Sequence, residues 1–116
     1  MTPELALDYL GELSTDIRAG VVLDAAGELA ASWEGDAERG ARVREGVVEL
    51  LERADRAPGG DGAPVPQLEV WASGGAVFCV RDDDWTLAVV SGRFALSSLM
   101  FYDLRHVLDD LHGDAS

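Results

Sequence analysis

The order of its hydrophobic segments constrains the fold of this chain more than any other feature. Three strand-like runs follow one another across tight turns at 67–73, 76–80 and 85–90, and an amphipathic pattern over 96–111 closes the chain. Short apolar runs bounded by Gly, Asp and Ser are typical of strands, and an apolar stripe at helical spacing is typical of a helix packed on a core. The second half of the chain therefore predicts a three-stranded meander followed by a covering helix.

The first half predicts a helix and a hairpin. Thr2 is a candidate N-cap, and Pro3 suits the first helical position. The runs 19–23 and 29–33 flank a turn that contains Gly27, which is typical of a hairpin. The expected core stripe of the first helix consists of Ala6, Leu10 and Leu13, and that of the last helix of Leu96, Met100, Leu104, Val107 and Leu111.

A second helix is predicted from the N-cap candidate Asp36 to about Asp55. Its expected core stripe is Val43, Val47, Leu50 and Ala54, joined by Leu51. Three pairs at the favourable four-residue spacing support it: Glu38 with Arg42, Glu49 with Arg53 and Glu52 with Arg56. Gly46 falls on the core side, so we expect it to permit close approach to the sheet.

The strands differ in their patterns. The runs 21–23, 76–80 and 87–90 are continuously apolar, which suits central strands covered on both faces, whereas 67–73 alternates and should lie at an edge. In that edge strand Leu68, Val70 and Ala72 are expected to face the core. Gln67, Glu69, Trp71 and Ser73 are expected on the opposite face.

Together these elements predict an α/β (α+β) fold of order αββαβββα. One helix on one face and two on the other give a three-layer α/β/α sandwich around a five-stranded, mainly antiparallel sheet. We expect a single domain over residues 1–112 and a short disordered tail at 113–116. The Pro- and Gly-rich loop 57–66 is also expected to be disordered.

Charge excludes several classes of partner. The formal net charge is −13 and there is no Lys, a composition that a GC-rich bacterial genome or adaptation to high salt would produce. Such an acidic chain repels the phosphate backbones of nucleic acids and anionic lipid surfaces. Nucleic acid is therefore not expected as a partner, and membrane insertion is not expected. Cys79 is the only cysteine, and the first residues lack a basic secretion signal, so a cytoplasmic location is predicted.

No pattern in the chain predicts catalysis, a cofactor or a metal. His106 and His112 have no accompanying cysteines and are expected on solvated helix surface. The carboxylates at 82–84 lack the spacing of a calcium loop, and the Gly-rich turns lack the Lys of a phosphate loop. The serines have no placed histidine. These absences favour a non-enzymatic protein-binding module.

Two stretches resemble the roadblock family, which includes dynein light chains and bacterial regulators of small Ras-like GTPases. The residues 12–17 and 21–32 are similar to the family's first hairpin, in which an apolar strand ends in Asp before a Gly-containing turn. The segment 68–90 resembles its meander, and the final helix follows as expected. The loop at 57–66 is longer than the family's, and the tail is short.

The resemblance implies a homodimer, or a heterodimer with a sister subunit, in which second helices pack together and third strands pair. It also implies a scaffold or regulator of a small GTPase. Residues 39–56 hold five arginines and four acids, so repulsion between copies is locally relieved there. The alternative is a profilin- or PAS-type sensor, which would need a ligand cavity. The predicted interface consists of Ala41, Arg44, Glu45, Val48, Leu51, Glu52, Gln67, Glu69, Trp71 and Ser73.

Overall fold

The helices and strands follow the predicted order. A computed structural model describes residues 1–14, 16–59 and 63–113. The helices are α1 (Pro3–Leu13), α2 (Ala37–Asp55) and α3 (Ser97–Gly113), with a 3-10 turn at Trp33–Gly35. The strands are β1 (Ile17–Leu23), β2 (Leu29–Ser32), β3 (Gln67–Ala72), β4 (Gly75–Arg81) and β5 (Thr86–Ser91). Residues 114–116 of the predicted tail lie outside the described part.

The five strands form one sheet in the order β2-β1-β5-β4-β3, and every neighbouring pair is antiparallel. The predicted edge position of β3 is confirmed. Helices α1 and α3 cover what we call the paired-helix face, and α2 crosses the opposite, single-helix face. The three-layer sandwich is therefore confirmed. In the continuously apolar runs 21–23, 76–80 and 87–90 every residue except Val77 and Val90 is buried, as is typical of strands with helices on both faces.

The helices begin at the predicted caps but bury partly different residues. Thr2 Oγ1 accepts a hydrogen bond from the Leu5 N–H at 3.2 Å, and Asp36 Oδ1 accepts one from the Arg39 N–H at 3.0 Å. The expected burial of Leu13 and Leu96 is wrong, because Leu13 is the last residue of α1 and Leu96 precedes α3. Both leucines therefore lie beyond the helical turns that contact the core.

The expected role of Gly46 is also wrong. Gly46 is exposed, and a Cβ built there would meet no atom within 4 Å. Gly40 makes the close approach instead, since its Cβ would lie 2.5 Å from the Ser32 Cβ on β2. Of the three expected pairs, the Glu49 and Arg53 side chains meet at 2.8 Å. The closest approach to the sheet is thus at Gly40, near the start of α2, whereas Val47 and Leu51 are buried farther along the helix as its apolar pattern predicts.

The face assignment of β3 needs correction as well. In the register with β4, Glu69 lies opposite Phe78 and Val70 opposite Val77, so successive residues of β3 face different helical layers. Phe78 belongs to the larger core, under α1 and α3. Trp71 therefore faces that core, whereas Leu68 packs at the margin of the smaller core under α2. The two sides of β3 thus face different helical layers, and on the α2 side only Leu68, near the start of the strand, packs against the core.

The loop before β3 is anchored at its end. The Val65 N–H donates to Asp55 Oδ1 at 2.8 Å, and Arg81 Nε donates to the Val65 C=O at 2.7 Å. The Arg81 N–H also donates to the Pro66 C=O. The expected disorder of this loop does not hold for Val65 and Pro66, and residues 60–62 lie outside the described part. None of the described helices combines the length and apolar character of a membrane span.

Candidate interaction surface

Strand β3 presents an open backbone edge. It pairs with β4 from Gln67 to Ala72, and in the described part of the chain no strand lies along its other side. Open strand edges recruit further strands unless charges, prolines or bulges obstruct them. Within β3 only Glu69 carries a charge, and the strand contains no proline or bulge. The edge is therefore competent to pair with another strand.

An apolar groove adjoins this edge on the single-helix face. Helix α2 lies mainly over β1 and β2. It leaves uncovered the end of β3, the start of β4 and the end of β5, around Ala72, Gly75 and Val90. The groove that results has a volume of about 330 Å³. We call it the corner groove, and its apolar lining includes Val70, Ala72, Val77 and Val90. The sequence does not predict this groove, because Val77 and Val90 belong to continuously apolar runs that are typical of covered strands.

The predicted interface residues of α2 lie at different depths. Ala41, Glu45 and Glu52 are exposed, and Val48 is half-buried against the core. Leu51 is buried beneath the helix and so lies outside the exposed stripe. The Arg44 Nε donates to the Gly27 C=O at 2.6 Å, which ties the predicted cross-dimer arginine to the β1–β2 turn.

The predicted interface residues of β3 lie on the other face of the sheet. Gln67 Oε1 accepts from Arg105 Nε of α3 at 3.1 Å. Glu69 accepts from Ser97 Oγ and from Trp71 Nε1, and these bonds, that from Ser97 foremost, lower the pKa of the Glu69 carboxyl. These groups therefore face α3 rather than α2.

Trp71 packs edge to face on Phe78, with 5.7 Å between the ring centroids. Ser73 lies exposed in the turn after β3. The structure therefore splits the predicted set in two. Residues of β3 that do share the side of α2 are Leu68, Val70 and Ala72. The alternation of the strand contains this information, but the sequence does not say which face meets which helix.

One further cluster joins the end of α3 to the β4–β5 turn. His112 Nε2 lies 2.6 Å from Asp82 Oδ2, and His112 Nδ1 lies 3.4 Å from Asp84 Oδ2. Asp82 Oδ1 also accepts the N–H groups of Asp84 and Trp85, both at 2.9 Å. His112 therefore lies on the solvated surface of α3, as predicted, with both ring nitrogens beside carboxylates. The contacts make this cluster a tether between helix and turn.

Cys79 on β4 is shielded from solvent. The thiol is fully buried in the core beneath α2, and burial raises its pKa to about 12. A thiol rather than a thiolate is therefore present at neutral pH.

Comparison with known proteins identifies the fold. No protein-family model and no curated protein sequence matches the chain. A Roadblock/LC7 domain from Streptomyces avermitilis superposes with a TM-score of 0.84 at 18% identity, over 99% of this chain and 98% of that one. MglB from Myxococcus xanthus gives 0.64 at 12% identity, over 92% and 85%. Profilin II from Acanthamoeba castellanii gives 0.60 at 12% identity, over 99% and 100%. The chain therefore has the fold of the Roadblock/LC7 domains, as its resemblance to the roadblock family predicted.

Proposed function

We propose that this chain is a non-catalytic interaction module that forms a homodimer, or pairs with a sister subunit, and serves as a scaffold or regulator of a small Ras-like GTPase. The observation that carries the proposal is the open edge of β3 beside the uncovered corner groove. The shared fold with Roadblock/LC7 domains and MglB supports it. A solved MglB structure has a tetrameric arrangement, so association occurs within this fold.

Pairing of two β3 strands would use both features at once. Antiparallel pairing of identical strands places a two-fold axis perpendicular to the sheet, so both single-helix faces stay on the same side. Each corner groove, at the end of one β3, then lies beside the start of the other β3 across the seam. Apolar surface around Val70 and Ala72 that is exposed in one chain becomes covered in the pair.

Charge restricts how the copies meet. A chain of net charge −13 repels its copy, and the repulsion is smallest where residues 39–56 balance five arginines against four acids. Ala41, Glu45, Val48 and Glu52 are the predicted α2 residues that remain accessible there. We therefore place the dimer contact on this stripe and on β3.

Light scattering tests the homodimer. We expect a mass of twice 12.4 kDa for the wild type at about 100 µM. Ala72→Asp puts a charge in the corner groove and should raise the dissociation constant at least about tenfold. Leu5→Asp is the control for the added charge, because Leu5 is exposed in the first turn of α1, on the paired-helix face and away from both β3 and α2.

Two outcomes would contradict this arrangement. A monomeric wild type would leave the sister-subunit heterodimer as the form of association. A dimer that Ala72→Asp does not weaken would show that β3 and the corner groove are not the contact.

The GTPase role has its own test. The chain is mixed with the Ras-like GTPase encoded nearest to its gene, loaded with GDP or with a non-hydrolysable GTP analogue, and complex formation is followed by light scattering. We expect binding that differs between the two nucleotide states, or an altered rate of phosphate release from GTP. The chain alone should release no phosphate. Absence of any effect would favour the profilin- or PAS-type sensor instead.

A further inference from the structure

A second apolar surface lies on the paired-helix face, where α1 ends and α3 begins. Four large side chains are exposed there around one groove of about 250 Å³. They are Phe94 (76% exposed), Leu96 (68%), Leu99 (55%) and Leu13 (42%). Single exposed apolar side chains are ordinary, but a contiguous group of them marks an interaction surface. We call this the helix-end groove.

Hydrogen bonds hold the helix-end groove in shape. Asp16 Oδ2 accepts the Phe94 N–H at 3.0 Å, and the Asp16 C=O accepts the Gly92 N–H at 2.9 Å. A Cβ at Gly92 would lie 2.3 Å from Asp16 Oδ1, so a side chain there would displace the Asp16 carboxylate from this position. The segment that presents Phe94 and Leu96 is therefore already ordered. A ligand meets a preformed surface and loses less affinity to ordering.

The charges around the groove select the ligand. Asp16 and Asp103 line it, and no cation is among its described lining residues. Arg93 lies outside the groove, with its guanidinium 5.1 Å from the centroid of the Phe94 ring. The net charge of −13 extends the negative field. A cationic ligand is attracted, whereas another acidic surface, including a second copy of this chain, is repelled.

We propose that the helix-end groove binds a cationic amphipathic helix of a partner protein. Apolar residues on one stripe of that helix would enter between Leu13 and Leu99, and flanking Lys or Arg would face Asp16 and Asp103. The groove lies between helix ends and offers no open strand edge, so the ligand must satisfy its own backbone, as a helix does. The surface lies across the sheet from the corner groove, and the inference is independent of the proposed dimer.

A model peptide tests the ligand class. The full chain is titrated against a fluorescein-labelled peptide of about 18 residues made of Leu and Lys, with Leu at i, i+3, i+4 and i+7. We expect saturable binding at or below about 100 µM in about 150 mM salt. A scrambled peptide of identical composition and a Leu/Glu peptide should each bind at least about tenfold more weakly. Equal binding of the scrambled peptide would overturn the proposal, as would no saturation by about 1 mM.

Matched variants test the location. Leu99 and Leu5 are equally exposed at 55%, but Leu5 is near the start of α1, outside the groove. Leu99→Ser combined with Phe94→Ser should weaken peptide binding at least about tenfold, and Leu5→Ser should leave it unchanged. Asp103→Asn should weaken it about two- to threefold and reduce its salt dependence.

Amide chemical shifts on peptide addition should change at residues 13 and 94–103. Unchanged binding by the double variant, or shifts confined elsewhere, would refute the assignment. Loss of a wild-type dimer in the double variant, measured by light scattering, would instead identify the groove as a contact between copies and would equally refute it.

Discussion

The two faces of the sheet are covered to different extents. On the paired-helix face α1 and α3 enclose a core that includes Phe78, Leu87 and Leu104. On the single-helix face α2 alone crosses the strands and leaves the corner groove open beside β3. One helix is about 10 Å wide, and strands lie about 4.8 Å apart, so a single helix cannot cover five strands. The uncovered remainder is the surface on which we propose that a second chain binds.

Side chains at one end of β4 nevertheless contact helices on both faces of the sheet. Arg81 forms an ion pair with Asp55 at the end of α2, and the next residue, Asp82, contacts His112 at the end of α3. Consecutive residues along a strand point to opposite faces. Arg81 therefore contacts the helix on one face, and Asp82 contacts a helix on the other. The Arg81 guanidinium lowers the pKa of Asp55, so that pair stays charged at neutral pH. The pair with His112 differs, because its hydrogen bond to Asp82 raises the pKa of the His112 imidazole above 6.5.

The largest effect should come from the core of the paired-helix face. Phe78→Ala removes a fully buried ring that packs edge to face on Trp71 and Phe101, and should cost about 3–5 kcal/mol. Leu51→Ala, under α2, should cost less, about 2–3 kcal/mol, because the thinner layer can close over the gap. Urea unfolding followed by circular dichroism measures both. Equal losses would mean that the two cores are equally packed.

Two glycine substitutions in α2, one on its sheet side and one on its solvent side, should change the stability of the fold by smaller amounts and in opposite directions. Gly40→Ala places a Cβ 2.5 Å from the Ser32 Cβ and should destabilise the fold by about 1–3 kcal/mol. Gly46→Ala meets open space in a helix interior and should stabilise it by about 0.5–1 kcal/mol. Thermal unfolding of the two variants gives the signs. A stabilising Gly40→Ala would show that α2 lies farther from β2 than described.

Sequence alone predicts the elements, their order and the edge strand, because strand alternation, helix caps and turn glycines are local signals. It does not predict where a helix stops contacting the core, as Leu13 and Leu96 show. Nor does it distinguish Gly40 from Gly46, since the crossing point of α2 is set by both layers. The arrival of His112 beside Asp82 depends on a contact 30 residues apart. The corner groove is not predicted either, because it depends on how α2 lies across strands that are distant from it in the sequence.

The smallest effect is expected from the tether on the paired-helix face, and its sign follows from the pKa of His112. The hydrogen bond to Asp82 is the main cause that raises this pKa above 6.5, and the charges of Asp84 and Asp109 add to it. Charged His112 in the last turn of α3 therefore stabilises the fold below the unfolded-state pKa, and this stabilisation is lost as the pH rises through the higher folded-state pKa.

His112→Gln should accordingly lower the melting temperature at about pH 5 and have little effect at about pH 9. His106→Gln is the control. His106 is exposed on the same helix, and its Nε2 lies 3.8 Å from Asp110 Oδ2, too far for a hydrogen bond. On the other face the hydrogen bond from Arg81 lowers the pKa of Asp55 below 3.8, so no corresponding change is expected there between about pH 5 and about pH 9. If His112→Gln lowered the melting temperature equally at both pH values, packing rather than charge would fasten α3 to the β4–β5 turn.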